Sequence, residues 1–401
     1  MTDRGPLTGV RVIELGNFIA APTAGRLLAD FGADVVKIER PGTGDELRRW
    51  RLYGGDTSLL FRALGRNKRS VTLDLRSPEG QDVARKLIAK TDVVLENFRP
   101  GTLERWGLGP DELKKLNPGL VLVRVSGYGQ TGPYRDRPGF GGVAEAVGGL
   151  RALTGYPDRP PTRVGVSLAD SVAGLYAVIG ALMGLLRREC EDGGGEVVDV
   201  ALYEAVYSLM ESLVPDYDAF GVSREPAGSA LPGVAPSNTY RCRDGKYIVV
   251  SGNGDAIFRR LTHAIGRPDL ADDPRLADNA GRVADNERLD AVIGDWAAGL
   301  TQEAAEAVLR AADVPCGPIL TAGDITKDPH FAARGMHQRR TVRIGGDDVE
   351  VTFPGIVPTL GEHPGEVRTL GPELGEHTEA VLAELGIDEP TRAHLRAAHV
   401  I

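Results

Sequence analysis

An alternation of short apolar runs with helical segments, repeated through the first 126 residues, constrains this chain more than any other feature. VRVIEL reads as a strand, the segment from Pro22 (TAGRLLADFG) as a helix that stops at Gly32, and DVVKIE as a second strand. The unit recurs with SVTLDL, a helix through DVARKLIAK, TDVVLENF, a helix near DELKKLN and finally LVLVRVS. Strands separated by helices in this way predict an α/β domain in which a parallel sheet is wrapped by helices.

Beyond residue 126 the pattern changes. Residues 127–161 are rich in Gly and Pro (GYGQTGPYRDRPGFGG, then TGYPDRPP) and read as ligand-facing loops on a rigid sheet. A strand-like run, RVGVSLA, leads to a long helix from about Ser171 to Arg188, with Leu175, Ile179, Leu182 and Leu186 at helical spacing and a GGG stop at 193–195. VALYEAVYSLMESLV reads as a further helix ending at Pro215, and EPAGSALPGVAPSN as a linker into a smaller region. There YRCRDGKYIVVS predicts a hairpin turning at Asp244-Gly245, followed by helices to about Ala312, strand segments in TVRIGG and VEVTFPG, and a last amphipathic helix.

At 401 residues the chain is long enough for two domains. A formal charge of -9 argues against a nucleic-acid partner, so an anionic ligand would need a local basic cluster. No run approaches the roughly 18 apolar residues of a membrane span, and MTDRGPLTG lacks the apolar centre of a signal peptide, so a cytoplasmic protein without a membrane partner is expected. Cys190, Cys242 and Cys316 stand far apart, and His363 and His377 have no partner set of ligand spacing, so neither a disulfide framework nor a metal site is expected.

Gly127-Tyr-Gly129-Gln-Thr-Gly132 matches G-x-G-x-x-G after a strand, but Pro133 and more loop replace the helix that would receive a pyrophosphate. A glycine loop approaching a ligand closely is the better reading. Basic residues gather at Lys37 and Arg40, at Asn67-Lys68-Arg69, and at Asn97-Phe98-Arg99 with Arg105. Strand ends of an α/β sheet are where anions bind, although taken alone a solvated surface is the commoner reading of such residues. Asp170, at the start of the long apolar helix, reads first as its N-cap, and a carboxylate there also has the setting of a nucleophile. Ser126, Ser167 and Ser171 lack G-x-S-x-G, and no histidine precedes His263.

Taken together, LTGVRVIEL with Ala21-Pro22, LLADFGADVVKIERPGTGD, NKRSVTLDL, VLENFRPG, the Asp170 helix and LGEHTEAVLAELG resemble the class III CoA-transferases, the family of formyl-CoA transferase and carnitine CoA-transferase, nearly end to end. The resemblance implies a Rossmann-like α/β large domain built from both chain ends (1–215 and 326–401), a smaller α+β domain (226–325), and an interlocked homodimer. It implies Asp170 as the nucleophile that forms a mixed anhydride and then an aspartyl-CoA thioester. It places CoA contacts at Phe18, Ile19, Arg40, Lys68, Asn97, Phe98, Arg99 and Arg105, and oxyanion donors among the amides of Gly139, Phe140, Gly141 and Gly142. The substrates it implies are an acyl-CoA and a free carboxylic acid, with no cofactor beyond the CoA thioester. Two departures, Gly141 where relatives often carry an acid and the short Ser251-Gly-Asn-Gly254 in place of a glycine-rich flap, point away from formyl-CoA and oxalate. The related α-methylacyl-CoA racemases use a histidine in the loop aligned with Gly139–Gly142, which is absent here, so racemase and non-catalytic acyl-CoA binder stand as the alternatives.

Overall fold

The structure, a computed structural model, describes residues 5–55, 57–190 and 193–401. The chain divides into two compact units: one holds the chain up to Leu150, Val164–Glu211 and Pro329–Ile401, the other Arg151–Arg163 and Ser212–Asp328.

The first unit is built on six parallel strands: β1 (Arg11–Glu14), β2 (Asp34–Glu39), β3 (Lys68–Thr72), β4 (Val93–Glu96), β5 (Val121–Ser126) and β6 (Glu196–Ala201). They lie in the order 3-2-1-4-5-6, the doubly wound arrangement of Rossmann-type sheets. Residues such as Val12, Val93, Val94, Val121 and Val123 are fully buried, as helix-covered parallel strands require. The order reverses between β1 and β4, so the chain leaves these neighbouring strands in opposite directions and opens a crevice at their C-terminal ends.

Helix α1 (Ala20–Asp30) follows β1, and α2 (Leu168–Cys190) precedes β6. They pack closely because the facing residues are small: a Cβ on Gly174 would stand 2.8 Å from the Ala20 carbonyl oxygen and from Thr23 Cβ. The buried face of α2 is Ala169, Ala173, Gly174, Ala177, Ala181, Gly184 and Leu185. The stripe Leu175, Ile179, Leu182 and Leu186 is instead exposed, by 40 to 65%. Close approach to α1 and the sheet selects for small side chains and turns the large ones outward.

Several other expectations are corrected. Helix α2 is long and apolar enough, by length and composition, to cross a membrane, contrary to the reading that no segment is. It begins at Leu168, so Asp170 lies within its first turn rather than at its N-cap, and residues 164–167 are not a strand. VALYEAVYSLMESLV divides into the end of the unforeseen strand β6, a helix at Leu202–Tyr207 and another at Leu213–Phe220 that contains Pro215. The C-terminal helix is two, Thr378–Glu384 and Glu389–Ala397, and their Leu382 and Leu395 enter the core under β3.

The second unit carries an antiparallel three-stranded sheet, Ser237–Arg241, Tyr247–Ser251 and Cys316–Pro318, with the hairpin turn at Asp244-Gly245. Its core joins Ile248 and Val250 to Leu261, Ile293 and Leu309 from the surrounding helices.

Candidate active site

The crevice above β1, β4 and β5 is a cavity of about 210 Å³ lined by Phe18, Ile19, Asn97, Phe98, Arg99, Arg135, Arg137, Gly139, Phe140 and Asp170, among others. Each wall follows from a strand end: residues 17–19 after Glu14, residues 97–99 after Glu96, and Gly127 after Ser126.

The first wall is a strained turn held by side chains. Phe18 has φ of 63°, in the left-handed region, an uncommon conformation for an aromatic residue. Three contacts fix it: Asn97 Oδ1 accepts from the Asn17 amide at 2.8 Å, Asn97 Nδ2 donates to the Asn17 carbonyl at 2.7 Å, and the Phe18 amide donates to Asp45 Oδ1 at 3.0 Å. The Phe18 ring thereby meets Trp50 and Phe140 at centroid distances of 5.2 and 5.6 Å. Asn97 therefore shapes the cavity as well as lining it.

Beneath this turn lies a buried lattice of three acids and three bases. Lys37 Nζ contacts Glu14 at 2.9 Å, Asp45 at 2.8 Å and the Gly16 carbonyl at 2.6 Å. Lys68 Nζ contacts the other Glu14 oxygen at 2.6 Å and the Pro22 carbonyl at 2.8 Å, and Arg48 makes two 2.7 Å bonds to Glu39. Burial opposes the charge on Lys37, but Asp45 and Glu14 outweigh it and raise its pKa. Among the described residues Lys68 is ion-paired with Glu14 alone, so burial and the neighbouring Lys37 bring it down to about 8. Lys68 does not line this cavity: it sits under the site, holding the start of α1, with its ammonium bound to Glu14 and the Pro22 carbonyl.

The second wall has a similar support. Glu96 accepts from the Phe98 amide at 2.7 Å and from Arg124 Nε at 2.7 Å, while Arg124 reaches Glu104 at 2.8 Å. Burial pushes the Glu96 carboxyl up to about 7, against the pull of Arg124. Phe98 packs edge-on against Trp106 and is shared with a neighbouring crevice lined by Arg40, Asp74 and Arg76. Arg105 is exposed, donates to Thr102 Oγ1 at 2.9 Å and lines neither cavity.

The third wall brings the glycine loops together. A Cβ on Gly139 would lie 2.7 Å from Gly127 Cα, so the two backbones touch where neither residue carries a side chain. Gly141 is packed still more closely: a Cβ there would stand 2.0 Å from Asp170 Oδ2 and 2.8 Å from its Cγ. The half-buried Asp170 carboxylate therefore lies directly against Gly141. Sequence reasoning missed Trp50, Arg135 and Arg137, which carry no motif and reach the cavity through loop conformation. Among the described residues no group of His, Cys, Asp and Glu is arranged to hold a metal ion.

A doubly wound parallel sheet with a carboxylate and three arginines lining the crevice at its strand ends has the architecture of an α/β enzyme. The chain belongs to CoA-transferase family III, whose family model matches residues 7–378. It is 48% identical to the succinyl-CoA–D-citramalate CoA-transferase of Chloroflexus aurantiacus, over 99% of this chain and 98% of that one. It is 45% identical, over the same shares, to the beta subunit of the succinyl-CoA–L-malate CoA-transferase of that organism. The crystal structure of a CAIB/BAIF family protein from Brucella suis superposes with a TM-score of 0.83 at 35% identity, covering 95% of this chain and all of the other. The protein is accordingly a CoA-transferase acting between acyl-CoA thioesters and carboxylates.

Proposed function

We propose that the enzyme moves CoA from succinyl-CoA to a dicarboxylic acid of the citramalate or malate type, through covalent chemistry at Asp170. The substrate reading rests on the two relatives above, whose names specify succinyl-CoA and a hydroxydicarboxylic acid. The observation that carries the mechanism is the close approach of the Asp170 carboxylate, which lines the cavity with Gly139 and Phe140, to Gly141.

An Asp170 oxygen attacks the donor thioester carbonyl, the C–S bond breaks, and CoA thiolate leaves an aspartyl-acyl anhydride. The thiolate then attacks the Asp170 carbonyl carbon, releasing the donor acid and forming an aspartyl-CoA thioester. The acceptor carboxylate attacks that thioester, and the thiolate freed again takes the acceptor acyl group, which regenerates the Asp170 carboxylate. Each step exchanges one acyl bond for another without a net proton, which suits a site with no histidine. Backbone N–H groups in 139–142 are the oxyanion donors in this reading. Phe18, Ile19, Asn97, Phe98 and Arg99 flank the pantetheine arm, with Arg40 toward the phosphates in the crevice that shares Phe98.

The exposed Leu175, Ile179, Leu182 and Leu186 stripe supports a homodimer, interlocked as in the family, because a contiguous apolar face of that kind marks an interface. Peptide mass spectrometry after incubation with succinyl-CoA tests the chemistry: a CoA or succinyl adduct on the Asp170 peptide is expected, and Asp170→Asn should bind CoA yet show no turnover. Full activity in Asp170→Asn would refute the mechanism.

A further inference from the structure

We infer that Arg137 selects dicarboxylic acids, pairing with the distal carboxylate of a substrate whose other carboxyl group reacts at Asp170. This rests on the transferase reading above and names the group that sets its acid specificity.

Arg137 and Asp170 line the same cavity, and Arg137 lies four positions before Gly141, whose backbone abuts the Asp170 carboxylate. The Arg137 guanidinium lies flat on Tyr134, its carbon 3.4 Å from the ring centroid. Tyr134 stands edge-on to Tyr128 at 5.9 Å, and Tyr128 meets Tyr203 at 5.9 Å, so three tyrosines in a row support the cation. The Arg137 amide also donates to the Tyr134 carbonyl at 2.9 Å, which closes the turn between them.

Its electrostatic situation differs from that of Arg124 and Arg135. Arg124 is committed to Glu96 and Glu104, and Arg135 faces Asp136 at 3.5 Å. Among the described residues the Arg137 guanidinium makes no hydrogen bond and no ion pair. Stacking uses the face of a guanidinium and leaves its edge N–H groups available, and that edge is what grips a carboxylate through two parallel bonds. The cavity that Arg137 and Asp170 share is also lined by the apolar side chains of Phe18, Ile19, Phe140 and Leu202. A cavity that holds the reacting carboxylate, apolar side chains and an unpaired cation matches a short dicarboxylate, while a monocarboxylic acid of equal chain length leaves the cation unanswered.

The test uses acetyl-CoA, whose acyl group has no distal carboxylate, as the acyl-CoA donor, and compares succinate with butyrate as CoA acceptors in the unsubstituted enzyme and its Arg137→Gln variant. The kcat/KM for succinate is expected to fall roughly 10- to 100-fold, the range for a lost hydrogen-bonded charge contact, with the butyrate value and the KM for acyl-CoA unchanged. Arg137→Lys should recover part of the loss, since it restores the charge without the planar edge. Equal losses for both acids, an unchanged succinate value, or a raised KM for acyl-CoA with either acid would each overturn the assignment. An Asp170 adduct formed from butyryl-CoA in Arg137→Gln shows the covalent chemistry intact while selectivity is read; absence of any adduct in the unsubstituted enzyme would remove the mechanism itself.

Discussion

Gly141→Ala isolates the packing of the nucleophile from the rest of the molecule. The added Cβ would stand 2.0 Å from Asp170 Oδ2, whereas Cβ atoms do not approach heavy atoms within 3.0 Å. One partner must move by at least an ångström. The atom met is the end of a half-buried side chain, so Asp170 rotates and the backbone stays. The φ of Gly141 is not positive, and replacing glycine by alanine in a helix favours the helix by roughly 0.5–1 kcal/mol. Stability should therefore change by no more than about 1 kcal/mol in either direction. A misplacement of about 1 Å at the reacting atoms costs on the order of 100-fold in rate, or roughly 2.7 kcal/mol of barrier.

The expected signature is a kcat lowered about 100-fold, an unaltered KM for acyl-CoA and an unshifted melting temperature, read from steady-state transfer assays and calorimetry. A kcat within about threefold of the parent would refute the argument, because the carboxylate would then not need its present position. A large loss of stability would refute it as well, by showing that backbone rather than Asp170 gives way.

Asn97→Ala removes both clamps on the Asn17 turn and should cost about 1–3 kcal/mol in denaturant melts, with a raised KM for acyl-CoA as Phe18 relaxes from its left-handed φ. Glu96, with a pKa raised from 4.5 to about 7, contributes stability that is fully present below pH 4.5 and is lost as the pH rises through 7, roughly 3 kcal/mol across that window. Glu96→Gln should flatten the stability profile over that range, measured by chemical denaturation at several pH values; an unchanged slope would assign it to other groups. Leu182→Glu with Leu186→Glu should leave each chain folded, since both side chains are exposed, but should lower the assembled mass seen by sedimentation.

The strands and their parallel pairing were legible because β1 to β5 are short apolar runs separated by helical periodicity, a pattern local to each segment. Strand β6 was not: VVDVA runs on into LYEAV without a break, and its pairing with β5 depends on a partner some 75 positions away. The long helix was legible as a helix, but its buried face was not. Hydrophobic periodicity marks Leu175, Ile179, Leu182 and Leu186, yet packing at close range favours the Ala and Gly side, and a pattern of large residues cannot say whether they cover this core or meet another surface. Phe18 and Ile19 were reached only through family resemblance, because they gain their place from loop geometry that no spacing rule records, whereas Asn97, Phe98 and Asp170 were marked by a strand end and a helix start that left their role open.

The fate of the basic residues shows what position in an α/β sheet does and does not determine. Lys37, Lys68 and Arg124 lie on strands like many anion-binding residues, but their side chains turn into the body of the unit and meet Glu14, Asp45, Glu96 and Glu104. A buried cation must be paired, and removing one partner of such a pair strands the other at a cost of several kcal/mol. These pairs hold the turn before α1 and the Phe98 wall through the Gly16 carbonyl and the Phe18 and Phe98 amides. Arg40, Arg99 and Arg137 differ in one physical respect: their side chains are exposed at the crevices, so an anion can reach them without breaking an existing buried pair. Ligand binding and scaffold support are thus divided among residues of the same charge by burial, a property of the folded chain that residue type alone does not disclose.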